Sequence, residues 1–248
     1  VCDYIKQSLK GGESSSWHLL FAQGDGLPVP DDEVLVRRDT QFHWFNQGYE
    51  CFDDFLGQMK SRKRKSMRRE RNKVSEQGIT LMRKLGAELD DKNWIEFYGC
   101  YCNTYHERGM NPYLSLAFFL NVGKALADRI MMVQAFRDDH LIAAAICFFD
   151  ETTLYGRHWG ALQTVDCLHF EACFYQGIEF CIERGLQRFD PGTQGEHKLL
   201  RGFEPVPTQS WHWIDHSGFR DAIAEFLRAE IQHTERYREH ATEYLPYR

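Results

Sequence analysis

A mixed α/β fold is what this sequence predicts, and three observations carry the prediction. Apolar residues recur at helical spacing in several blocks, most clearly Phe170, Cys173, Phe174, Gly177, Ile178 and Cys181. Three β-type segments, at 130–137, 141–150 and 153–159, follow one another with short acidic turns at Asp138-Asp139 and Asp150-Glu151, as antiparallel hairpins require. The composition is that of a globular protein, with 43% hydrophobic and 27% charged residues among 248.

Residues 1–48 read as the end of a preceding unit. A helical piece at 4–9 stops at Gly11-Gly12, and strands at 17–22, 34–37 and 42–45 are broken by Gly24-x-Gly26 and Pro28-x-Pro30. These pieces are too few for a core of their own, and the opening at Val1 leads us to expect an N-terminal portion beyond this sequence. The main unit is expected over 49–248. It starts with two helices whose apolar stripe is Phe52, Phe55, Leu56 and Met59, then Met67 and Val74, with a basic elbow at 61–66 between them. Gly78 stops the second helix, and a strand follows at 79–84. Helices at 94–107 and 114–126 are separated by Gly109 and Pro112. After the three strands, a loop at 160–168 leads to a helix at 169–184 that ends at Gly185. A short strand at 186–190, a loop at 191–198, a strand at 211–214 and a final helix complete the order. Ser217 is the expected cap of that helix, with Phe219, Ala222, Ile223, Phe226 and Leu227 along one side.

Charge is unevenly placed. Residues 60–73 hold nine of the 30 Lys/Arg and one of the 36 Asp/Glu, so the remainder carries 21 basic against 35 acidic residues. A basic island on an acidic body points to a localised anionic partner. The eight cysteines lack metal-ligand spacing, and Cys147, Cys173 and Cys181 fall in apolar positions that suit reduced, buried thiols. No apolar run approaches the ~18 residues of a membrane span, and no leader of signal type is expected. A reduced, cytoplasmic protein without a transmembrane segment or a metal site is expected.

Three segments carry more polar and aromatic residues than packing requires: Tyr155-Gly-Arg-His-Trp-Gly160, His169-Phe-Glu-Ala-Cys-Phe-Tyr-Gln176, and Pro191-Gly-Thr-Gln-Gly-Glu-His-Lys198 with Arg201. Sites in α/β sheets gather at strand ends, where these segments would meet. Each also has a plain structural reading. The basic run suits a solvated helix face, 191–198 suits a flexible turn, and Tyr155, Trp159 and Trp44 suit a core. His169 and Glu171 lie about 200° apart on a helix and cannot both face one pocket, whereas Glu171 and Tyr175 share a face. His106, His140 and His233 carry no surrounding pattern.

The order of antiparallel strands, helix and parallel strand resembles the GNAT arrangement. Together with Gln41-Phe-His-Trp44, Ser61-Arg-Lys-Arg-Lys65, Arg68-Arg-Glu-Arg71, Leu168-His-Phe-Glu171 and Gly195-Glu-His-Lys198, the chain resembles the FemAB-like predicted N-acyltransferases of the peptidoglycan biosynthesis or recognition group. That resemblance implies tandem GNAT-like lobes, with 1–48 ending the first and 49–248 forming the second. In the wider Fem group, aminoacyl-tRNA donates an amino acid to an amine of a cell-wall precursor. The chain departs from ordinary GNAT acetyltransferases at 160–168, where no glycine follows Gly160 to let backbone N–H groups hold the pyrophosphate of coenzyme A. Arg157-His-Trp-Gly-Ala-Leu162 misses the [Q/R]-x-x-G-x-[G/A] pattern at its last position.

The resulting expectation is transfer of an acyl or aminoacyl group from aminoacyl-tRNA or an acyl thioester to an amine. The donor is a co-substrate, and no tightly bound cofactor is expected. The acceptor amine belongs to a nucleotide- or lipid-linked cell-wall precursor. Glu196 or His197 would take the amine proton, and Lys198 with Arg201 would hold phosphate or the oxyanion. Glu171 and Tyr175 would place the acceptor. Arg157, Trp159, His169 and Gln194 would contact substrate, and Lys63, Arg64, Lys65 and Arg68 would bind phosphate or tRNA. A cysteine acyl-enzyme is disfavoured because no Cys neighbours the candidate histidines in sequence. Two other readings stand beside this one: a nucleic-acid-binding module that uses the basic elbow alone, and a non-catalytic lobe that only recognises a precursor or partner.

Overall fold

The computed structural model describes residues 14–22, 33–193 and 195–247. The expected helix at 4–9, its Gly11-Gly12 stop and the Gly24 and Pro28 breaks lie outside them. The chain forms two compact units, one of residues 1–41 with 204–245, the other of 42–203 with 246–248. This division differs from the expected boundary at 48/49, because the C-terminal strand and helix join the N-terminal strands.

In the first unit, β1 (Ser16–Ala22) pairs antiparallel with β8 (Glu204–Ile214), placing Trp17 opposite Trp213 and Leu19 opposite Trp211. Trp17, Val34 and Trp211 form its small buried core. β2 (Leu35–Phe45) is one strand, not the two expected at 34–37 and 42–45. The polar run that hid its middle is satisfied by α6 (Ser217–Thr242), where Glu230 takes Arg37 at 2.8 Å and Glu235 takes Arg38 at 2.9 Å. β8 is likewise longer than the expected 211–214, its start masked by Pro205 and Pro207, residues that argue against a strand. The cap of α6 is the His216 side chain, which accepts from the Phe219 N–H, rather than Ser217. Its apolar stripe is narrower than expected. Leu227 is buried and Ile223 partly so, while Phe219 and Phe226 are 64% and 63% exposed and Ala222 faces solvent.

The second unit is a sheet covered on both faces. β3 (Thr80–Leu85), β4 (Ile130–Arg137), β5 (His140–Phe149) and β6 (Thr153–Ala161) pair antiparallel in sequence order. β6 then runs parallel to β7 (Arg188–Asp190), which pairs antiparallel with the end of β2 at Trp44 and Phe45. Asp138 and Asp139 both take positive φ, which closes the β4–β5 hairpin with the twist such turns need. One face packs α3 (Asp91–His106) and α4 (Leu116–Ala125) over Ile130, Met132, Ala144 and Ile146. On the other face, Val74, Ile79, Ala135, Ala143 and Leu168 form a second core.

α1 (Phe52–Gly57) and α2 (Ser61–Glu76) are the two expected helices, but the basic run is not the elbow between them. The bend falls at residues 58–60, where Met59 bridges to Tyr247 and the Lys60 N–H donates to Pro246 O. Ser61–Lys65 already lie in the first turns of α2, because strong helix formers such as Lys and Arg extend a helix once the chain has turned.

Candidate active site at the ends of β6 and β7

α5 is α-helical at Leu168–Phe170, widens to a π-turn at Glu171–Tyr175 and continues as Gln176–Arg184. Such single wide turns concentrate at functional sites. This one carries two of the residues singled out from sequence, and α2 holds both of them. Arg71 donates to both oxygens of Glu171 at 3.0 and 2.9 Å and to Glu179 at 2.6 Å, with its guanidinium over the Phe52 ring. Burial opposes the Arg71 charge, but Glu179 and Glu171 outweigh it and raise the pKa. The adjacent Glu70 receives Arg201 in a two-oxygen fork at 3.0 and 2.9 Å and also accepts from the Tyr175 hydroxyl. Arg201 further donates to the Tyr175 oxygen at 3.1 Å and to His197 O at 2.8 Å, and stacks on Phe170 at 3.4 Å. Glu171 and Tyr175, the pair that helical spacing places on one face, are thus both held by partners from α2. Each is bound to a different α2 side chain, Glu171 to Arg71 and Tyr175 to Glu70. Burial pushes the Tyr175 pKa up, so the phenol stays protonated.

At the end of β7, Asp190 Oδ1 accepts from the Gly192 N–H at 2.9 Å, and Oδ2 faces His43 Nε2 at 3.5 Å. Lys198, only 3% exposed, donates to Gly192 O at 2.6 Å. Its ammonium is thus turned inward rather than toward a surface phosphate. Burial lowers its pKa to about 8, with Asp190 and then Cys173 opposing that shift. Burial raises the Cys173 pKa well above the usual range, against the nearby Lys198 cation, so this thiol remains a weak nucleophile. Burial also lowers the His43 pKa, against the Asp190 charge. Glu196 and His197 stand exposed on the 3₁₀ turn Glu196–Arg201. The His197 ring lies 5.7 and 5.6 Å from Phe170 and Phe174; this partial burial, then the Arg201 and Lys198 cations, lower its pKa. Gln194 lies outside the described residues.

β6 pairs with β7 only from Thr153 to Tyr155, then runs on to Ala161 with no strand on that side among the described residues. Its register against β5 steps between His158 and Gly156, leaving Arg157 as an extra, exposed residue. A bulge of this kind re-aims side chains. After it, Trp159 meets His169 edge-to-face at 5.6 Å, while His158 packs on Tyr101 and Phe119. The free edge is occupied by α3, as Thr104 Oγ1 donates to Trp159 O at 3.0 Å and Asn103 Nδ2 to Ala161 O at 2.7 Å. A Cβ at Gly160 would fall 2.0 Å from Cys100 O, so that glycine is required by the close approach of helix and strand. A cleft of about 200 Å³ remains between this edge and the start of α5.

The model of the FemAB-like family, described as peptidoglycan biosynthesis/recognition, matches residues 1–248. The chain belongs to the FemAB-like family. No curated protein matches it. Among solved structures it is similar to FemX, at 11% identity and a TM-score of 0.53 over 89% of this chain and 70% of that one. It is also similar to the C-terminal domain of a putative lysylphosphatidylglycerol synthetase from Agrobacterium fabrum, at 8% identity and a TM-score of 0.56 over 92% and 77%. L-PGS from Bacillus licheniformis matches at 9% identity and a TM-score of 0.53 over 78% and 67%. At these identities the likeness concerns fold: a mixed, largely antiparallel α/β sheet, as expected from the strand order.

Within this FemAB-like chain the predicted residues fall into three places. Trp159 and His169 line the cleft, and Lys198, His197 and Glu196 lie at the β7 end. Lys63, Arg64 and Lys65 make no ion pair among the described residues, whereas Arg68 is paired with Asp53 at 2.8 Å. Sequence reading missed Glu70, hidden as the single acid in a basic run, and His43 with Asp190, which no motif joined. The signal for His43 was a polar residue between Phe42 and Trp44 in an otherwise apolar strand end; all three are buried. Seven described cysteines are free, and no helix among the described residues is long and apolar enough to cross a membrane.

Proposed function

We propose that this chain is an N-acyltransferase that passes an acyl or aminoacyl group to an amine of a cell-wall precursor. The observation that carries the reading is the opening of the sheet where β6 continues past β7, with titratable side chains collected around it. The attacking nitrogen forms its bond to the acyl carbon, the bond to ribose oxygen or thiol sulfur breaks, and the one proton that leaves the nitrogen ends on that departing atom. His197, with its lowered pKa and exposed position, suits acceptance of that proton, with Glu196 beside it. Lys198 supplies positive potential to the oxyanion from within the turn, and Arg201 positions the turn through Glu70.

The donor is a co-substrate, and aminoacyl-tRNA suits the geometry better than coenzyme A. The β6–α5 junction lacks cradling glycines, and α3 side chains occupy the edge carbonyls of β6. The unpaired cations of α2 favour a phosphate-bearing ligand. A reduced, cytoplasmic setting and a GNAT-like lobe over 49–248 belong to the same reading. Turnover with an aminoacyl-tRNA and a nucleotide-linked amine tests it. Lys198→Ala should lower the rate ~30–1000-fold, and Glu196→Gln should lower turnover more than binding. Wild-type rates in both, with folding intact, would move the chemistry elsewhere. Sub-micromolar coenzyme A binding at the junction would reverse the donor assignment.

A further inference from the structure

The cleft between β6 and α5 has a charge character of its own. Among its lining residues, Trp159, Gln163, Thr164, Val165 and His169 surround one carboxylate, the exposed Glu107, just beyond the end of α3. No Lys or Arg pairs with Glu107 among the described residues. Asn103 Nδ2 donates to it at 3.0 Å while also donating to Ala161 O, which fixes the carboxylate beside the end of β6. Arg137 donates to Gln163 Oε1 at 2.7 Å and not to Glu107. A carboxylate without a counter-ion, beside an indole held edge-to-face on His169, is a setting for a cation rather than an anion. The volume of about 200 Å³ holds roughly seven waters, the size of an amino acid or small amine head group.

We propose that this cleft is a primary-ammonium site, with Glu107 taking the charge and Trp159 and His169 flanking it. The proposal rests on the acyl-transfer reading only for which ammonium is meant, the α-amino group of an aminoacyl donor or the amine of the acceptor. L-Alanine methyl ester represents the first and D-glucosamine the second, each with its N-acetyl form as the uncharged control. Binding is read from the indole N–H resonance of Trp159, assigned among the six tryptophans by Trp159→Phe. The expected result is a saturable shift with at least one charged probe, absent with its N-acetyl form. Glu107→Gln, which keeps the hydrogen bond from Asn103 and the folded spectrum, should weaken it about five- to thirtyfold. A response to the ester alone assigns the cleft to the donor, and a response to glucosamine alone to the acceptor. Equal shifts with the acetylated probes, no shift at tens of millimolar, or unchanged affinity in Glu107→Gln would each overturn the site. None of these readouts uses turnover, so loss of the catalytic reading at Lys198 and loss of this site are separate results.

Discussion

The two faces of α2 are built from the same residue types and do opposite things. Inward, Met67 and Val74 are buried, and Glu70 and Arg71 are each tied to partners on α5 or the 196–201 turn. Outward, Arg62, Lys65 and Arg69 share an exposed stripe with no carboxylate partner among the described residues. Four cations, Lys60, Arg62, Lys63 and Arg64, crowd the N-terminal turn, whose dipole disfavours positive charge, and no side chain caps it. The difference teaches that a charge run is not one feature. Charges that meet partners hold the fold, and charges set against their own helix dipole suggest a ligand.

The sharpest way to break this comparison is to remove an inward charge. Glu70→Ala leaves Arg201, 6% exposed, without its carboxylate and Tyr175 without its acceptor. Removing one member of a buried pair costs about 3–5 kcal/mol, which for a chain of this size lowers Tm by roughly 6–20 °C. Glu70→Met with Arg201→Met should recover much of that loss. An unchanged Tm for Glu70→Ala would show that the inward charges are as dispensable as surface ones.

The second test asks whether the β6–α5 junction belongs to the packed side of the molecule. Gly160→Ala places a methyl against the Cys100 carbonyl, and α3 must shift. Overpacking of this kind costs about 1–3 kcal/mol, read as a lower denaturation midpoint at unchanged slope. A neutral substitution would mean that α3 moves freely there, and the edge carbonyls of β6 would then be open to a ligand.

Which parts were legible in sequence follows from the range of the forces involved. Periodicity and turn residues are local, and β4, β5 and the Gly78 and Gly185 stops emerge almost unaltered. β2 and β8 were misjudged because their polar or proline-bearing stretches are satisfied by partners far along the chain, as with Arg37 on Glu230. The candidate site divides the same way. His197, Lys198, Trp159 and His169 stood out as dense polar or aromatic segments. Glu70 to Arg201 spans 131 positions and His43 to Asp190 spans two strands, so no spacing rule could join them.

Lys198 lies between the two classes, a buried cation hydrogen-bonded to a carbonyl instead of paired. Its folded pKa of about 8 is below the 10.5 of the free side chain, so between those values the unfolded chain holds a proton that the folded one has released. Stability therefore rises with pH through that window, and below pH 8 the full cost of the buried ammonium is present. Relative to Lys198→Met, the wild type should gain up to about 1.4 kcal/mol per pH unit between pH 8 and 10. Paired denaturant titrations at the two pH values measure the difference, and a flat result would place the ammonium in a water-like setting.

The smallest effect bears most directly on the outward face. If Arg62, Lys63 and Arg64 are present for a ligand, they cost the helix something in its absence, because each sits in the first turn where the dipole is positive. Replacing Arg62 or Lys63 by Glu should then stabilise the protein by about 0.3–1 kcal/mol at low ionic strength, and less as salt screens the interaction. The same substitutions should weaken binding of a phosphate-bearing polymer such as deacylated tRNA. Its salt dependence should flatten by roughly one ion for each phosphate that is no longer neutralised. Stability and binding are thus expected to move in opposite directions. Glutamine at the same positions should show the weaker binding with about half of the stability gain, since it removes the unfavourable charge without adding a favourable one. If glutamate lowers Tm instead, the cations are making intramolecular interactions that hold the helix, and the outward face would have to be regarded as structural like the inward one.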